Sequence, residues 1–263
     1  TRAVAIGLAL GVALLIFWLL GGVERPWRGL WMVVGALWIV LAVVMLRLGV
    51  ARWSTWPVVL RLWLGLFLIA CAWLALVQAR LIGLGFLLSV LLLVWMADIA
   101  AYVGGRTFGR RKLAPTISPG KSWEGVYGGV AGVLLLALAW IAVEAQLDLG
   151  SASVFKLLQQ TLGWGGLLLA ALLLTALSVV GDLFESLVKR AAGAKDSSRL
   201  LPGHGGVLDR IDSLTSTLPV VDRVRVASPS PLTVSVDTVM SLVAPMVLTR
   251  LVPVTVSTWV LAS

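Results

Sequence analysis

Residues 163–185 read GWGGLLLAALLLTALSVVGDLFE, and they lead directly into residues 186–212, SLVKRAAGAKDSSRLLPGHGGVLDRID. The first stretch is apolar and longer than the roughly 18 residues that indicate a membrane-spanning helix. From Asp182 to Asp212 the chain then carries five acids and five bases. A membrane protein holds this much charge only where water or protein surrounds it, so we expect a functional site at this junction.

Apolar runs of similar length precede this stretch along the chain. We predict spans near residues 3–22, 30–49, 57–78, 81–103 and 124–146, in addition to 163–185. The 263 residues are 60% hydrophobic and 13% charged, whereas soluble proteins are about a quarter charged. The sequence therefore predicts an all-α fold, a polytopic transmembrane helical bundle of about six to nine spans with polar loops that form the site.

The net charge of +9 would suggest nucleic-acid binding in a soluble protein. In a membrane protein, bases that collect on the cytoplasmic side and meet anionic lipid headgroups explain it better, so we predict membrane lipids and no nucleic acid as partners. The single cysteine, Cys71, lies within an apolar run. It excludes an intrachain disulfide and argues against a thiol nucleophile.

The two longer polar segments are predicted to lie on the same side of the membrane. The loop at 104–123 contains five bases and no acid, which places it in the cytoplasm by the positive-inside rule. Two predicted spans separate it from the loop at 186–212. Both loops therefore face the cytoplasm.

Three regions can be distinguished along the chain. Residues 1–79 are predicted to form N-terminal transmembrane helices, and residues 80–219 a catalytic transmembrane region with two cytoplasmic motif loops. Residues 220–263 form an atypical tail rich in Ser, Thr, Val and Pro, with one further span near 231–249 or 238–260 as an alternative. A frame-shifted gene end or an altered terminus is one hypothesis for this tail. The first apolar run is long enough to stay in the membrane, so we expect no cleaved signal peptide.

Acidic side chains cluster around the end of the sixth span. On a helix, Asp182, Glu185, Ser186 and Lys189 share one face. Asp209 and Asp212 are also one helical turn apart. Clusters of oxygen ligands suit Mg²⁺, which binds carboxylates, water and substrate phosphates. The alternative is that these acids only form ion pairs with nearby bases and hold the loop in place.

A glycine-rich turn, Pro202-Gly203-His204-Gly205-Gly206, lies between these acids. Its glycines allow the backbone N–H groups to approach an anion. His204 could donate a hydrogen bond to a phosphate or act as a general acid or base. A single histidine in such a turn is otherwise an ordinary turn residue.

The earlier loop combines glycines and bases with two flanking acids, Asp98 and Glu124. Such a loop could bind phosphates through backbone N–H groups and positive charges. Gly120-Lys121-Ser122 lacks the earlier glycine of a P-loop, so that motif is rejected. A positive-inside loop explains the bases without any ligand, but it does not explain the acids.

These motifs together resemble the signature of the phosphatidate cytidylyltransferase (CDP-diacylglycerol synthase) family. The first block is Ser186-x-x-Lys189-Arg190-x₄-Lys195-Asp196-x₅-Pro202-Gly203-His204-Gly205-Gly206-x₂-Asp209-Arg210-Ile211-Asp212, and the second comprises Asp98-x₂-Ala101-Tyr102 and Ser118-Pro119-Gly120-Lys121-Ser122-Trp123-Glu124-Gly125. The resemblance covers roughly residues 80 to 219. It implies a membrane enzyme that converts CTP and phosphatidic acid to CDP-diacylglycerol and pyrophosphate, with Mg²⁺ and a second cation, often K⁺.

The resemblance also implies roles for individual residues. The metal-site carboxylates would be Asp182, Asp209 and Asp212, and the groups for phosphate contact or charge stabilisation Lys189, Arg190, Lys195 and His204. The remaining substrate contacts would be Asp98, Tyr102, Ser118, Lys121, Glu124, Ser186, Gly205, Gly206 and Arg210. The expected location is the cell (inner) membrane with the site facing the cytoplasm, and a homodimer is compatible with the family.

Other functions remain open at this point. A transporter would favour charge at the membrane midplane or paired broken helices, and neither is evident. Another CTP-dependent lipid enzyme, such as a polyprenol kinase or an archaeal-lipid cytidylyltransferase, would share the site and differ in the acceptor. A purely structural membrane protein leaves the polar segment unexplained.

Overall fold

The computed structural model describes residues 2–146, 151–194, 197 and 208–226, with side chains described for 212–221 of the last helix. Seven helices occupy most of these residues. In chain order they are α1 Arg2–Leu19, α2 Arg28–Ser54, α3 Val58–Ile82, α4 Leu84–Phe108, α5 Trp123–Glu144, α6 Val154–Ala191 and α7 Leu208–Val226. A short 3₁₀ turn, Gly22–Glu24, joins α1 to α2.

Six of these helices, α1 to α6, are long and apolar enough to cross a membrane. They confirm all six predicted spans and the predicted helical bundle, and they identify the chain as a multi-pass membrane protein. Apolar side chains remain exposed on most of them, Leu19 and Trp63 among others. This is the outward face expected of helices that contact lipid rather than water.

Two glycines divide the longest helices. Gly49 in α2 has φ 63°, and Gly163 in α6 has φ 69°, a backbone conformation that glycine adopts without the steric cost of a side chain. The predicted second span ends at residue 49 and the predicted sixth span begins at residue 163. The two kinks therefore coincide with predicted span boundaries. The additional segments, 50–54 and 154–162, continue each helix beyond its predicted span.

The loop predicted at 104–123 is more ordered than expected. Helix α4 continues to Phe108, and an antiparallel hairpin follows, with β1 at Lys112–Ala114 and β2 at Ser118–Ser122. The side chain of Ser122 then caps α5 by accepting a hydrogen bond from the N–H of Gly125 at 3.2 Å. Alternating hydrophobicity does not mark these short strands, and for this reason the sequence predicted only a loop.

Helix α7 begins the last described part of the chain. It packs against α6, where Ser216 Oγ donates to the carbonyl oxygen of Leu177 at 2.7 Å. It is not among the six membrane-length helices. It continues past Pro219 to Val226, so the predicted region boundary at 219/220 falls inside a helix. The alternative span at 231–249 or 238–260 lies outside the described residues.

Glycines allow α4 and α5 to approach closely. A Cβ atom added at Gly128 would lie 2.8 Å from the carbonyl oxygen of Ala100 and 3.2 Å from the Cα of Gly104. Small residues permit this kind of backbone contact between membrane helices. The contact fixes α5, and with it the hairpin, against the half of α4 that carries Asp98.

We expect Gly128→Ala to destabilise the protein, because the new methyl group meets backbone that cannot move independently. Overpacking of this kind costs about 1–3 kcal/mol. The matched control is Gly65→Ala in α3, where an added Cβ meets no atom within 4 Å and the helix propensity of alanine is favourable. Thermal unfolding of both variants in detergent tests the contact. An equal effect of the two substitutions would contradict it.

Candidate functional site

Three helices converge on the carboxylate of Asp98, which lies on α4. Ser178 of α6 donates a hydrogen bond to its Oδ1 atom at 3.3 Å. Ser213 of α7 donates to Oδ1 and Oδ2 at 3.5 and 3.4 Å. Asp98 therefore lies at the junction of α4, α6 and α7 and not only beside the polar loop.

Asp182 connects α6 to the hairpin. Its Oδ2 atom lies 2.6 Å from Nζ of Lys121 on β2, and Ser186 Oγ donates to Oδ1 at 3.3 Å. The side chains of Lys121 and Asp182 are 22% and 30% exposed, so water and solutes can reach this ion pair. This contact agrees with the alternative that the acids form ion pairs with nearby bases and hold the loop in place. It also places an ammonium group next to the carboxylate cluster, where it could contact an anionic ligand.

Asp212 brings a third carboxylate to the cluster. The N–H of Ser213 donates to its Oδ1 atom at 2.7 Å. Burial among the helices, and then the negative charge of Asp182, raise the pKa of Asp212 above the usual range of a carboxyl group. The ammonium groups of Lys121 and Lys189 oppose this shift. The carboxylates of Asp98, Asp182 and Asp212 are thus close enough for their charges to interact.

The donor atoms of this cluster fit a hard cation in kind, since they are carboxylate and hydroxyl oxygens. Within the described part of the chain, no three His, Cys, Asp or Glu side chains form a group that could hold a metal ion. The predicted ligand Asp209 is in the first turn of α7, but its side chain lies outside the described residues. The metal site of Asp182, Asp209 and Asp212 therefore stays a prediction.

The predicted polar face of α6 is present. Ser186 contacts Asp182 as described above, and Nζ of Lys189 lies 2.6 Å from Oε2 of Glu185. Glu185 is buried, so this ion pair supplies a counter-charge inside the bundle. Arg190 lies exposed in the last turn of the same helix.

Glu124 lies in the first turn of α5, directly after the hairpin, and it contacts the loop that follows α4. Its carboxylate accepts hydrogen bonds from the backbone N–H groups of Arg110 and Arg111, at 3.0 and 3.2 Å, and from Nε of Arg111 at 3.3 Å. It thereby ties the residues after α4 to the start of α5. These contacts stabilise the conformation of the loop between α4 and β1. The role of Glu124 in substrate binding stays a prediction.

Two cavities meet at the carboxylate cluster. The polar cavity, of about 350 Å³, is lined by Asp98, Tyr102, Arg106, Ser118, Lys121 and Asp182, among others. The apolar cavity, of about 940 Å³, is lined mainly by leucine and tryptophan side chains from α1, α3 and α4, and it also includes Asp98 and Asp212. Asp98 lines both cavities.

Some predicted site residues cannot be placed. Lys195, His204, Gly205, Gly206 and the side chain of Arg210 lie outside the described residues. Among the placed ones, Tyr102 and Ser118 line the polar cavity, and the Tyr102 hydroxyl accepts a hydrogen bond from Nη1 of Arg106 at 2.8 Å.

The sequence did not single out Ser178 and Ser213, the two hydroxyl groups that hold Asp98. Ser178 is a polar residue in an otherwise apolar span, four positions before Asp182 and therefore on the same helix face. Ser213 follows Asp212 directly. A search for hydroxyl groups one turn from each acid would have found Ser178.

The fold and the site together define a multi-pass membrane protein with an acidic cluster between a polar and an apolar cavity. The family comparison agrees with this class. A model of the cytidylyltransferase family matches residues 1–226, and the chain belongs to that family. The match includes the N-terminal helices and all of α7, and it extends beyond the residues that carry the sequence motifs.

Three similar curated proteins are all named phosphatidate cytidylyltransferase. The chain is 50% identical over 137 residues to a phosphatidate cytidylyltransferase of Haemophilus influenzae. The aligned region covers 52% of this chain and 44% of that protein. It is 49% identical over 162 residues to one from Pseudomonas aeruginosa, covering 61% and 55%. It is 39% identical over 146 residues to one from Staphylococcus epidermidis, covering 55% and 50%. The chain thus spans about half the length of the curated relatives it matches.

Proposed function

We propose that this protein is a phosphatidate cytidylyltransferase that forms CDP-diacylglycerol and pyrophosphate from CTP and phosphatidic acid. The observation that carries the proposal is that Asp98 lines both a polar and an apolar cavity. A reaction between a water-soluble nucleotide and a membrane lipid requires such a meeting point. The names of the relatives support the same activity.

The polar cavity suits the triphosphate of CTP. Arg106 and Lys121 bring positive charge to its lining, and the bases Arg110 and Arg111, which follow α4, are exposed. Positive charge at the entrance attracts a polyanion and raises its local concentration. Ser118 and Tyr102 add hydroxyl groups that can donate to phosphate oxygens.

The proposed reaction is an in-line displacement at phosphorus. A phosphate oxygen of phosphatidic acid forms a bond to the α-phosphorus of CTP, and the bond from that phosphorus to the oxygen bridging to the β-phosphate breaks. Pyrophosphate leaves with the electron pair. Because the attacking phosphate is already ionised, this chain needs no strong general base, and its residues act by positioning and by charge.

We propose Mg²⁺, with K⁺ beside it, as the cofactor held by Asp182, Asp209 and Asp212. When bound, such cations neutralise charge on phosphate oxygens. Asp98 then serves to orient the cluster, since its two serine contacts fix its carboxylate between α6 and α7. Lys121 provides a positive charge that can move from Asp182 to a substrate phosphate.

We propose that the site faces the cytoplasm from the inner membrane of a bacterial cell. The hairpin carries exposed arginine and lysine side chains, and basic loops favour the cytoplasmic side. CTP is supplied from that side, and phosphatidic acid from the adjoining leaflet.

Product analysis tests this proposal. Purified protein is incubated with labelled CTP, Mg²⁺ and either phosphatidic acid or dolichol. We expect label in CDP-diacylglycerol and release of pyrophosphate with phosphatidic acid only. Transfer of the γ-phosphate of CTP to dolichol would instead identify a polyprenol kinase, and an absence of any product with a folded protein would favour a transporter.

A further inference from the structure

A second group of buried apolar residues, the hairpin cluster, holds the hairpin against the bundle. Its members include Trp53 of α2, Ala114 and Ile117 of the hairpin, and Leu183 and Leu187 of α6. The main core cluster is built from other residues of the helices. The hairpin therefore has its own apolar attachment to α2 and α6.

Ile117 is the hairpin residue that is most completely buried in this cluster. It is 2% exposed, and its side chain offers a larger apolar surface than that of Ala114. It lies in the turn between the two strands, where its N–H donates to the carbonyl oxygen of Ala114 at 3.1 Å. A two-stranded hairpin is only marginally stable by itself, so its conformation depends on this apolar anchor.

The end of α2 contributes to the same attachment. The backbone of α2 is kinked at Gly49, and a Cβ atom added there would lie 3.7 Å from Oγ1 of Thr116 in the hairpin turn. Beyond the kink, the ring of Trp53 packs edge-on against Phe184 of α6, with ring centroids 5.4 Å apart. This part of α2 thus joins the hairpin turn to the end of α6 that carries Asp182.

The hairpin cluster adjoins the polar cavity. Val179 is a buried member of the cluster and Leu113 packs against it, and both also line the polar cavity. Lys121 follows Ile117 by four residues and lies on β2, from which its Nζ atom reaches Oδ2 of Asp182 at 2.6 Å. The contacts that hold the hairpin turn therefore also hold the backbone from which Lys121 extends.

From these contacts, and on the basis of the proposed function, we infer that Ile117 is a positioning residue. It anchors the hairpin and thereby holds Lys121 at the polar cavity, where the triphosphate of CTP binds. Lysine carries a point charge on a flexible four-carbon stem, so the place of this charge depends on where the backbone of β2 is held. Ile117 is not one of the described residues that line the polar cavity, and it acts through Lys121.

Chemical modification of Lys121 tests the anchoring without using the reaction. The unmodified protein, Ile117→Ala and Ile117→Val are treated briefly with acetic anhydride in detergent, and mass spectrometry measures the acetylation of each lysine. We expect Lys121 in Ile117→Ala to react at least about threefold faster, because its amine leaves Asp182, a change within the range that loss of a partly exposed ion pair allows. Lys112, which is exposed on β1 of the same hairpin, is the internal control and should react equally in all three proteins.

Kinetics tests whether this position matters for the nucleotide. We expect Ile117→Ala to raise KM for CTP by about tenfold and to leave KM for phosphatidic acid within about twofold, because small displacements of a contacting group have effects of this order or larger. In a Lys121→Met background, Ile117→Ala should add little, since both changes remove the same contact. Ile117→Val removes less of the side chain and should show the same changes to a smaller extent, and it carries the test if Ile117→Ala does not fold.

Leu158→Ala is the matched control. Leu158 is 1% exposed and belongs to the main core cluster, so its truncation should lower thermal stability without changing KM for CTP. A tenfold rise in KM for CTP in this control, or an unchanged rate of Lys121 acetylation in the Ile117 variants, would overturn the inference even if the protein is active. Faster acetylation in a protein that makes no CDP-diacylglycerol would retain the anchoring of Lys121 and reject the proposed function.

Discussion

Asp182→Asn is expected to lower kcat/KM by about 100-fold or more, equivalent to about 2.7 kcal/mol of transition-state stabilisation. The carboxylate of Asp182 contacts Lys121 and Ser186 and interacts with the charges of Asp98 and Asp212. Asparagine keeps the shape but removes the negative charge that a cation or the Lys121 ammonium group requires. Steady-state assays with CTP and phosphatidic acid measure the loss.

The fold should survive this substitution. The Lys121–Asp182 pair is partly exposed, and such pairs contribute about 0–1 kcal/mol to stability. Thermal unfolding should therefore change little while activity falls. The control is Glu24→Gln, which neutralises an exposed acid in the 3₁₀ turn between α1 and α2. If Asp182→Asn retained near-normal turnover, or if Glu24→Gln lost as much activity, the assignment of the site would be wrong.

Lys121→Met is expected to raise KM for CTP by at least about tenfold, or about 1.4 kcal/mol of binding free energy. Lys121 lines the polar cavity and contacts Asp182, so its removal takes an ammonium group away from the carboxylate cluster and weakens the attraction for the triphosphate. Lys121→Arg should recover part of the effect because it keeps the charge, although its planar group has a different shape. The KM for phosphatidic acid should change less than that for CTP.

Lys112→Met provides the matched control for Lys121. Lys112 is on β1 of the same hairpin and is exposed to solvent. It should leave KM for CTP within about twofold at moderate salt, since exposed charges are screened. A rise in KM for Lys112→Met equal to that for Lys121→Met would mean that the hairpin acts by general attraction and that Lys121 has no specific position in the site.

The sequence predicted the membrane helices well because long apolar runs have few alternatives. The sixth span is one example, because the apolar run predicts its start at Gly163 and α6 has its kink at that residue. The extension at 154–162 was missed because Lys156 and two glutamines interrupt the apolar run. Its attachment depends on contacts from elsewhere in the chain, such as the N–H of Val154 donating to Ser89 Oγ at 2.9 Å.

The candidate site was predictable in composition but not in arrangement. The motifs identified Asp98, Asp182 and Asp212, and spacing along one helix predicted the contact between Asp182 and Ser186. The meeting of Asp98 with Ser178 and Ser213 depends on how three helices pack, which local spacing does not determine. The apolar cavity is likewise a property of the packed bundle.

The roles of Lys195, His204, Gly205, Gly206 and Arg210 rest on the motif alone, as does Asp209 as a metal ligand. A homodimer is also a prediction. Substitution of Asp209 by asparagine should resemble Asp182→Asn, if both carboxylates serve the same cation.

On the proposed function, nucleotide and lipid meet at the carboxylates of α4, α6 and α7. Crystals of the protein soaked with 5-bromo-CTP and Mn²⁺ test it directly, because anomalous scattering locates both bromine and manganese. We expect manganese bound to Asp182 or Asp212, with the triphosphate in the polar cavity beside Lys121. Manganese and nucleotide bound together at any place away from these carboxylates would contradict it.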